Sequence, residues 1–151
     1  MTRVDVYFFP CFSCGNVAGQ VSTFWNTVIY YGLDISWVWY DLEGEWSSSY
    51  ATNQAFLEEL IYQTRSIGFY YGIYTNYYGW DYFYGLSYVF PYYYDTPLWY
   101  AHYDWVDNFS DFDAFGGWTT PAIKQYIDNI DSLCNGIVDF NYAETDLSEY
   151  Y

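Results

Sequence analysis

The sequence predicts an α/β fold built on a barrel-like, largely parallel sheet. Three observations point to it. Strand-type runs centred near Tyr7, Val38 and Gly72 recur a little over thirty residues apart. Helical apolar spacing fills the gaps between them. Further strand-type runs then follow with links too short or too turn-rich for full helices. The first interval is that of a βα unit, and successive units favour parallel pairing with right-handed crossovers.

Taken in order, Val4 to Phe9 is β-branched and aromatic and closes at Pro10, the mark of a buried strand. Val17, Val21, Phe24, Trp25, Val28 and Tyr31 share one helical face, and Gly32 stands where a C-terminal glycine cap belongs. Ser36 to Tyr40 is the second strand. Phe56, Leu57, Leu60, Ile61, Thr64 and Ile67 mark a second helix, with Thr52 or Asn53 as its cap and Gly68 as its end. Tyr70 to Thr75 is the third strand. From Asn76 to Tyr94 the chain is aromatic and turn-rich, with room for one short helix around Asp81 to Gly85. Leu98 to Tyr103, Ile123 to Tyr126 and Gly136 to Phe140 read as the later strands, and the acidic stretch from Asn141 shows no pattern that predicts structure.

Length allows one domain with a sizeable core. Aromatics make up 28 % of 151 residues, more than such a core needs, so some rings belong on the surface or in a cleft. Three basic residues face nineteen acids, for a formal net charge of −16. Nucleic acid is excluded as a partner, because phosphate binding needs clustered Lys and Arg. Anionic membranes are disfavoured on the same ground. The charge keeps an aromatic-rich surface soluble, or points to an acidic working compartment in which protonation relieves self-repulsion. No run of apolar residues is long enough to span a membrane. The N-terminus reads as a strand and shows no signal peptide.

Cys11 and Cys14 are close enough to bridge each other, which leaves Cys134 over; three cysteines do not settle the redox compartment. The C-x-x-C lacks the second ligand pair that zinc requires. Asp104, Asp107, Asp111 and Asp113 have no EF-hand spacing and read as solvated loop acids, so no metal is expected. Asn108-Phe109-Ser110 is a glycosylation sequon, meaningful only in a secreted chain.

The sharpest chemical signal is WVWYDLEGEW, Trp37 to Trp46. In a strand, residues two apart share a face and sit roughly 6.5–7 Å apart, so Asp41 and Glu43 point the same way. They lie at the strand's C-terminal end, where parallel α/β sheets gather their sites. Two acids so placed repel, and partial burial raises one of them. One ionised and one protonated carboxyl is the arrangement glycoside hydrolysis requires. Glu43 reaches further and is assigned the general acid, with Asp41 orienting or polarising. D-x-E is a common tripeptide, and a strand end also suits solvated acids; the apolar strand and the surplus rings tilt the reading toward a sugar site. Trp99 fits a core role or a sugar platform equally. His102, the single histidine, has no serine elbow to serve; it reads as a strand residue near the barrel mouth or, less simply, as part of a cleft.

The segments VDVYFFPC, CGNVAGQV, WVWYDLEG, GIYTNYYGW, PLWYAHYD, AFGGWTTPAIKQY and GIVDFN stand in the order in which they occur in glycoside hydrolase family 25 lysozymes. From about Val4 to Tyr142 the chain resembles the amoebozoan and protist branch of that family. The resemblance implies a TIM-like (β/α)5β3 barrel that cuts the β-1,4 bond between N-acetylmuramic acid and N-acetylglucosamine in bacterial peptidoglycan. Residues 1–142 would form the catalytic domain and 143–151 an acidic tail. The activity would need no cofactor, in a monomer that is secreted or lysosomal/phagosomal.

Glu43 and Asp41 match the family's D-x-E acids. Asp139, in VDFN, matches the acid of the last strand, and Tyr74, in GIYT, the tyrosine lining the sugar cleft. An inverting course, or a retaining one assisted by the substrate's N-acetyl group, both agree with the resemblance. The front departs from the pattern. The family opens with a strand carrying a D-x-S aspartate and a second βα unit, whereas this chain opens at the third strand. Asp5 mimics the first aspartate only superficially. A barrel without those strands has unpaired edges. The alternative expectation is therefore a non-catalytic glycan-binding remnant that lacks the first-strand acid.

Overall fold

The computed structural model describes residues 4–44, 46–131 and 136–144. Cys134 and residues 145–151 of the acidic stretch lie outside the described residues. The chain runs β1 (Val6–Phe8), α1 (Val17–Tyr30), β2 (Val38–Asp41), α2 (Tyr50–Ile67), β3 (Tyr71–Thr75), α3 (Tyr77–Tyr84), a 3-10 turn (Tyr93–Asp95), β4 (Leu98–Ala101), β5 (Ile123–Asp131) and β6 (Ile137–Tyr142).

All six strands lie in one sheet in sequence order. β1 to β5 pair in parallel, and β5 and β6 are antiparallel. The result is a mixed α/β fold whose curled sheet forms half a barrel. Among the described residues it does not close, since β1 and β6 are its two edges. The antiparallel last pair was not expected, and neither was the length of β5. Ile123 to Asp131 is irregular against β6, with register shifts after Gln125 and Ile127. Such bulges hide the two-residue alternation that marks a strand.

The helix ends follow local chemistry. Asn16 caps α1 by accepting from Gly19 N. At the other end Gly32, at φ 60°, donates to Ile29 O while Leu33 N reaches Val28 O, a Schellman closure at the expected glycine. α2 begins earlier than expected. Its cap is Ser49, which accepts from Thr52 N, and Gly68 ends it in the left-handed region. Asn53 is instead fully buried, donating to Ser47 O and Phe83 O and so tying α2 to α3. α3 starts at Tyr77 rather than near Asp81, because Asn76 caps it through Gly79 N.

Two faces result. The convex face packs Val38, Tyr40, Ile73 and Leu98 against Leu57, Leu60 and Ile61 of α2 in one dry core. Trp80 is its aromatic hub, with ring centroids 4.7 Å from Tyr84, 5.3 Å from Trp118 and 5.8 Å from Phe115. The concave face carries Trp39, Asp41, Tyr74, Trp99 and Gln125, at paired or alternate positions of neighbouring strands. A side chain on Gly72 would begin 2.3 Å from the Trp39 ring, so only glycine lets that indole lie across β3. Cys11 and Cys14 form a disulfide in the loop before α1. Among the described residues no helix is long and apolar enough to cross a membrane.

Candidate active site

β2 delivers the acids. It ends at Asp41, and Leu42 N still bonds Tyr74 O of β3 at 2.9 Å, so the chain is anchored one residue beyond the strand. Leu42 itself is buried in the convex core. Glu43 therefore stands on the turn after the strand, not within it as the spacing argument supposed. Gly44, at φ 97°, makes that turn, and the Phe9 ring lies where a side chain would have to go. Trp46 donates its indole N–H to Glu43 O at 3.3 Å and closes the turn from the other side.

Both acids line one groove of about 340 Å³, together with Tyr74, Trp99 and Asp139. The five residues singled out from sequence thus meet in one place. Burial is the first cause that raises both carboxyls. Asp41 is pushed up to about 6, with the Glu43 charge adding to burial and the Glu43 backbone N–H opposing them. One Asp41 oxygen, Oδ1, is buried without a hydrogen-bond partner. Glu43 is raised by burial and held back by Asn76, whose Nδ2 lies 3.5 Å from Glu43 Oε1. That amide is fixed because its other end caps α3. The two acids act as a coupled pair that keeps a proton toward neutral pH. Desolvation weighs on Asp41 at least as heavily as on Glu43, which the strand argument did not anticipate.

The opposite wall is a relay that sequence reasoning missed. Gln125, nearly buried on β5, accepts from Tyr74 OH at 2.6 Å and Tyr103 OH at 3.0 Å through Oε1. Its Nε2 donates to Asp139 Oδ2 at 2.9 Å, and Asn129 N bonds Asp139 Oδ1 at 2.9 Å. Asn129 sits at φ 54° in the irregular part of β5, so the bulge turns a backbone N–H onto the cleft acid. Burial and the nearby acids raise the Tyr74 phenol far above its ordinary value, so it stays a neutral donor. Trp99 is half-buried at the edge of the Trp37–Trp39 cluster. Its ring lines the groove, packs edge-on to Tyr74 and Trp39, and donates to Asn141 Oδ1. Asp5 is not in this groove; it accepts from Trp39 Nε1 at 3.2 Å.

A second groove of about 360 Å³ shares Glu43 and Tyr103 with the first and continues along Tyr77, Tyr78, His102 and Phe115. Two of the expected solvated loop acids are differently placed. Asp104 and Asp111 clamp the fully buried Lys124 at 2.8 and 2.7 Å, and Asp111 also holds His102 Nδ1. His102, Asp104 and Asp111 stand close enough to gather a cation. The Lys124 ammonium already supplies the positive charge there.

An aromatic cleft with a proton-retaining acid pair at the mouth of a parallel half-barrel narrows the family sharply, and comparison with known proteins agrees. The family model described as lysozyme-like protein 1 matches residues 1–126. The chain belongs to the lysozyme-like family of glycoside hydrolase family 25. It is 43 % identical to "Probable GH family 25 lysozyme 4" of Dictyostelium discoideum, over 92 % of this chain and 64 % of that protein. With "Lysozyme-like protein 5" of Caenorhabditis elegans it shares 38 % identity over 94 % of this chain and 66 % of that protein. The chain therefore spans about two thirds of the length of the curated relatives it matches. In fold it is similar to the Clostridium perfringens spore cortex lytic enzyme SleM, with a TM-score of 0.68 and 17 % identity, over 95 % of this chain and 50 % of that one.

Proposed function

We propose that the chain carries the acid pair and cleft of a lysozyme-type glycoside hydrolase acting on bacterial peptidoglycan. The bond cut is the β-1,4 linkage from N-acetylmuramic acid to N-acetylglucosamine. The observation that carries this reading is the pair Asp41 and Glu43, both raised by burial, in a groove walled by Tyr74 and Trp99.

Glu43 gives its proton to the leaving glycosidic oxygen as the C–O bond breaks. Water supplies the hydroxyl to the anomeric carbon, and its proton passes to a cleft carboxylate. Asp41 assists as the other carboxyl: burial and repulsion keep one proton within the pair, and Glu43 is the member that passes it to the leaving oxygen. Asp139, fixed by Gln125 and Asn129, and the Tyr74 hydroxyl face the sugar as a polar wall. The barrel of the whole enzyme is TIM-like, with this half-barrel as its third to eighth strands. A wall substrate suits a protein that works outside cells or in lysosomes and phagosomes.

Clearing of bacterial wall suspensions tests the reading. The wild-type chain should clear them at pH 5, and Glu43→Gln should not. A second reading, glycan binding without cleavage, is favoured by the open edge at β1, where Tyr7 is 70 % exposed beside the cleft. Wall sedimentation with bound protein but no clearing would select it.

A further inference from the structure

The groove beyond Glu43 has an architecture that the acid pair does not explain. Its walls are aromatic, from Tyr77, Tyr103 and Phe115, and beyond Glu43 its polar lining is Asn76, His102, Asp111 and Asp113. The imidazole is 54 % exposed, so it is not a core group satisfied by burial. Yet its support is unusually complete. Asp111 Oδ2 bonds Nδ1, while Asp111 Oδ1 accepts from Lys124 Nζ at 2.7 Å and from Tyr100 OH at 3.0 Å. Lys124 is fully buried and is held from its other side by Asp104. Burying a lysine between two aspartates gives little stability. What it does give is a fixed carboxylate under one ring, which sets the orientation and tautomer of a histidine. With Nδ1 occupied, Nε2 is the polar atom left to meet whatever fills the groove.

Rings for the apolar face of a pyranose and one oriented nitrogen for its hydroxyl or acetamido group are the parts of a sugar site. We propose that this groove is a second sugar subsite, with His102 as its polar contact and Asp111 as the residue that positions it. The subsite adjoins Glu43, so it would take the N-acetylhexosamine unit next to the bond being cut, and to that extent it rests on the glycosidase reading.

His102 is the only histidine in the chain, so its ring signals in nitrogen-detected NMR need no assignment. Titration of the 151-residue protein with the N-acetylglucosamine trimer should shift those ring signals. His102→Phe should weaken trimer affinity about tenfold, the worth of one well-placed hydrogen bond, with its melting temperature within a few degrees of wild type. In wall digestion the same variant should raise KM and leave kcat within about twofold, as expected for lost binding rather than lost chemistry. Asp111→Asn should abolish the fixed Nδ1 proton signal and weaken the trimer as well. Ring signals that stay put on saturation, or His102→Phe binding the trimer like wild type, would overturn the subsite. Glu43→Gln separates the two readings: it should bind the trimer normally and cut nothing. If it still cuts walls, the acid assignment fails while the shifts at His102 stand.

Discussion

The two faces of the one sheet are made from alternating residues of the same strands, yet they obey opposite rules. On β2, Val38 and Tyr40 turn to the convex side, among rings and aliphatic chains, with the Tyr40 hydroxyl paired to the buried Thr64 hydroxyl. Trp39 and Asp41 turn to the concave side, where a carboxyl oxygen is left buried and unpartnered. The convex core around Val38 and Tyr40 is uncharged, though Trp80 Nε1 and Tyr84 OH are buried there without hydrogen-bond partners, and it should matter to stability alone. The concave side holds two carboxyls raised by burial, which cost stability and supply chemistry. Aromatic surplus divides the same way: Trp80 is fully buried among other rings, while Tyr7 and Tyr78 stand open at the grooves.

Substitutions that act on one face only would sharpen this contrast. The largest effect expected is on Glu43→Gln, which should lose about 10²–10⁴-fold of wall-cleaving rate, the range for a general acid, with an unchanged melting temperature. Trp80→Ala should do the reverse, costing roughly 3–5 kcal/mol in urea unfolding while folded protein keeps its per-molecule activity. A Trp80 variant that is stable but inactive would break the division.

Much of this division was legible beforehand, and the rest was hidden for identifiable reasons. The βα period, the glycine that closes α1 and the convergence of Asp41, Glu43, Tyr74 and Asp139 follow from apolar spacing and from the family's motifs. Gln125 was not legible. An amide between Lys124 and Tyr126 looks like a surface residue, and its burial depends on a tyrosine from β3 and an aspartate from β6. Lys124 was missed for the same reason: its two aspartates lie on a loop that no local pattern folds back. Ser49 escaped as a cap because three serines in a row offer equal candidates and tertiary packing chooses among them.

Asp41→Asn is the intermediate case. Its folded pKa, about 6, lies above its ordinary 3.8, so the ionised form is disfavoured by folding. The penalty is full above pH 6 and disappears as pH falls toward 4. Asparagine should remove it, stabilising the protein at pH 7 by about 1–2 kcal/mol once solvent screening is allowed for, while cleavage falls. Wild type should accordingly melt higher at pH 5 than at pH 7. The gain reverses near pH 3, because Asp111, held down to about 2 by its hydrogen bonds to Lys124 and His102, loses that support on protonation. A melting temperature that rises steadily from pH 5 to 8 would contradict the burial of the pair.

The smallest effect should come from Arg65→Ala. The Arg65–Asp95 pair is 2.6 Å long but about two fifths exposed, and exposed pairs contribute roughly 0–1 kcal/mol. Activity should not change.

The most direct measurement is the chemistry of the new chain ends after purified peptidoglycan is incubated with the protein at pH 5. Borohydride reduction and mass spectrometry of the fragments should find reduced N-acetylmuramic acid, formed by wild type and absent with Glu43→Gln. Fragments ending in N-acetylglucosamine, or equal release by the variant, would mean that the acid on the turn after β2 is not what breaks the glycan.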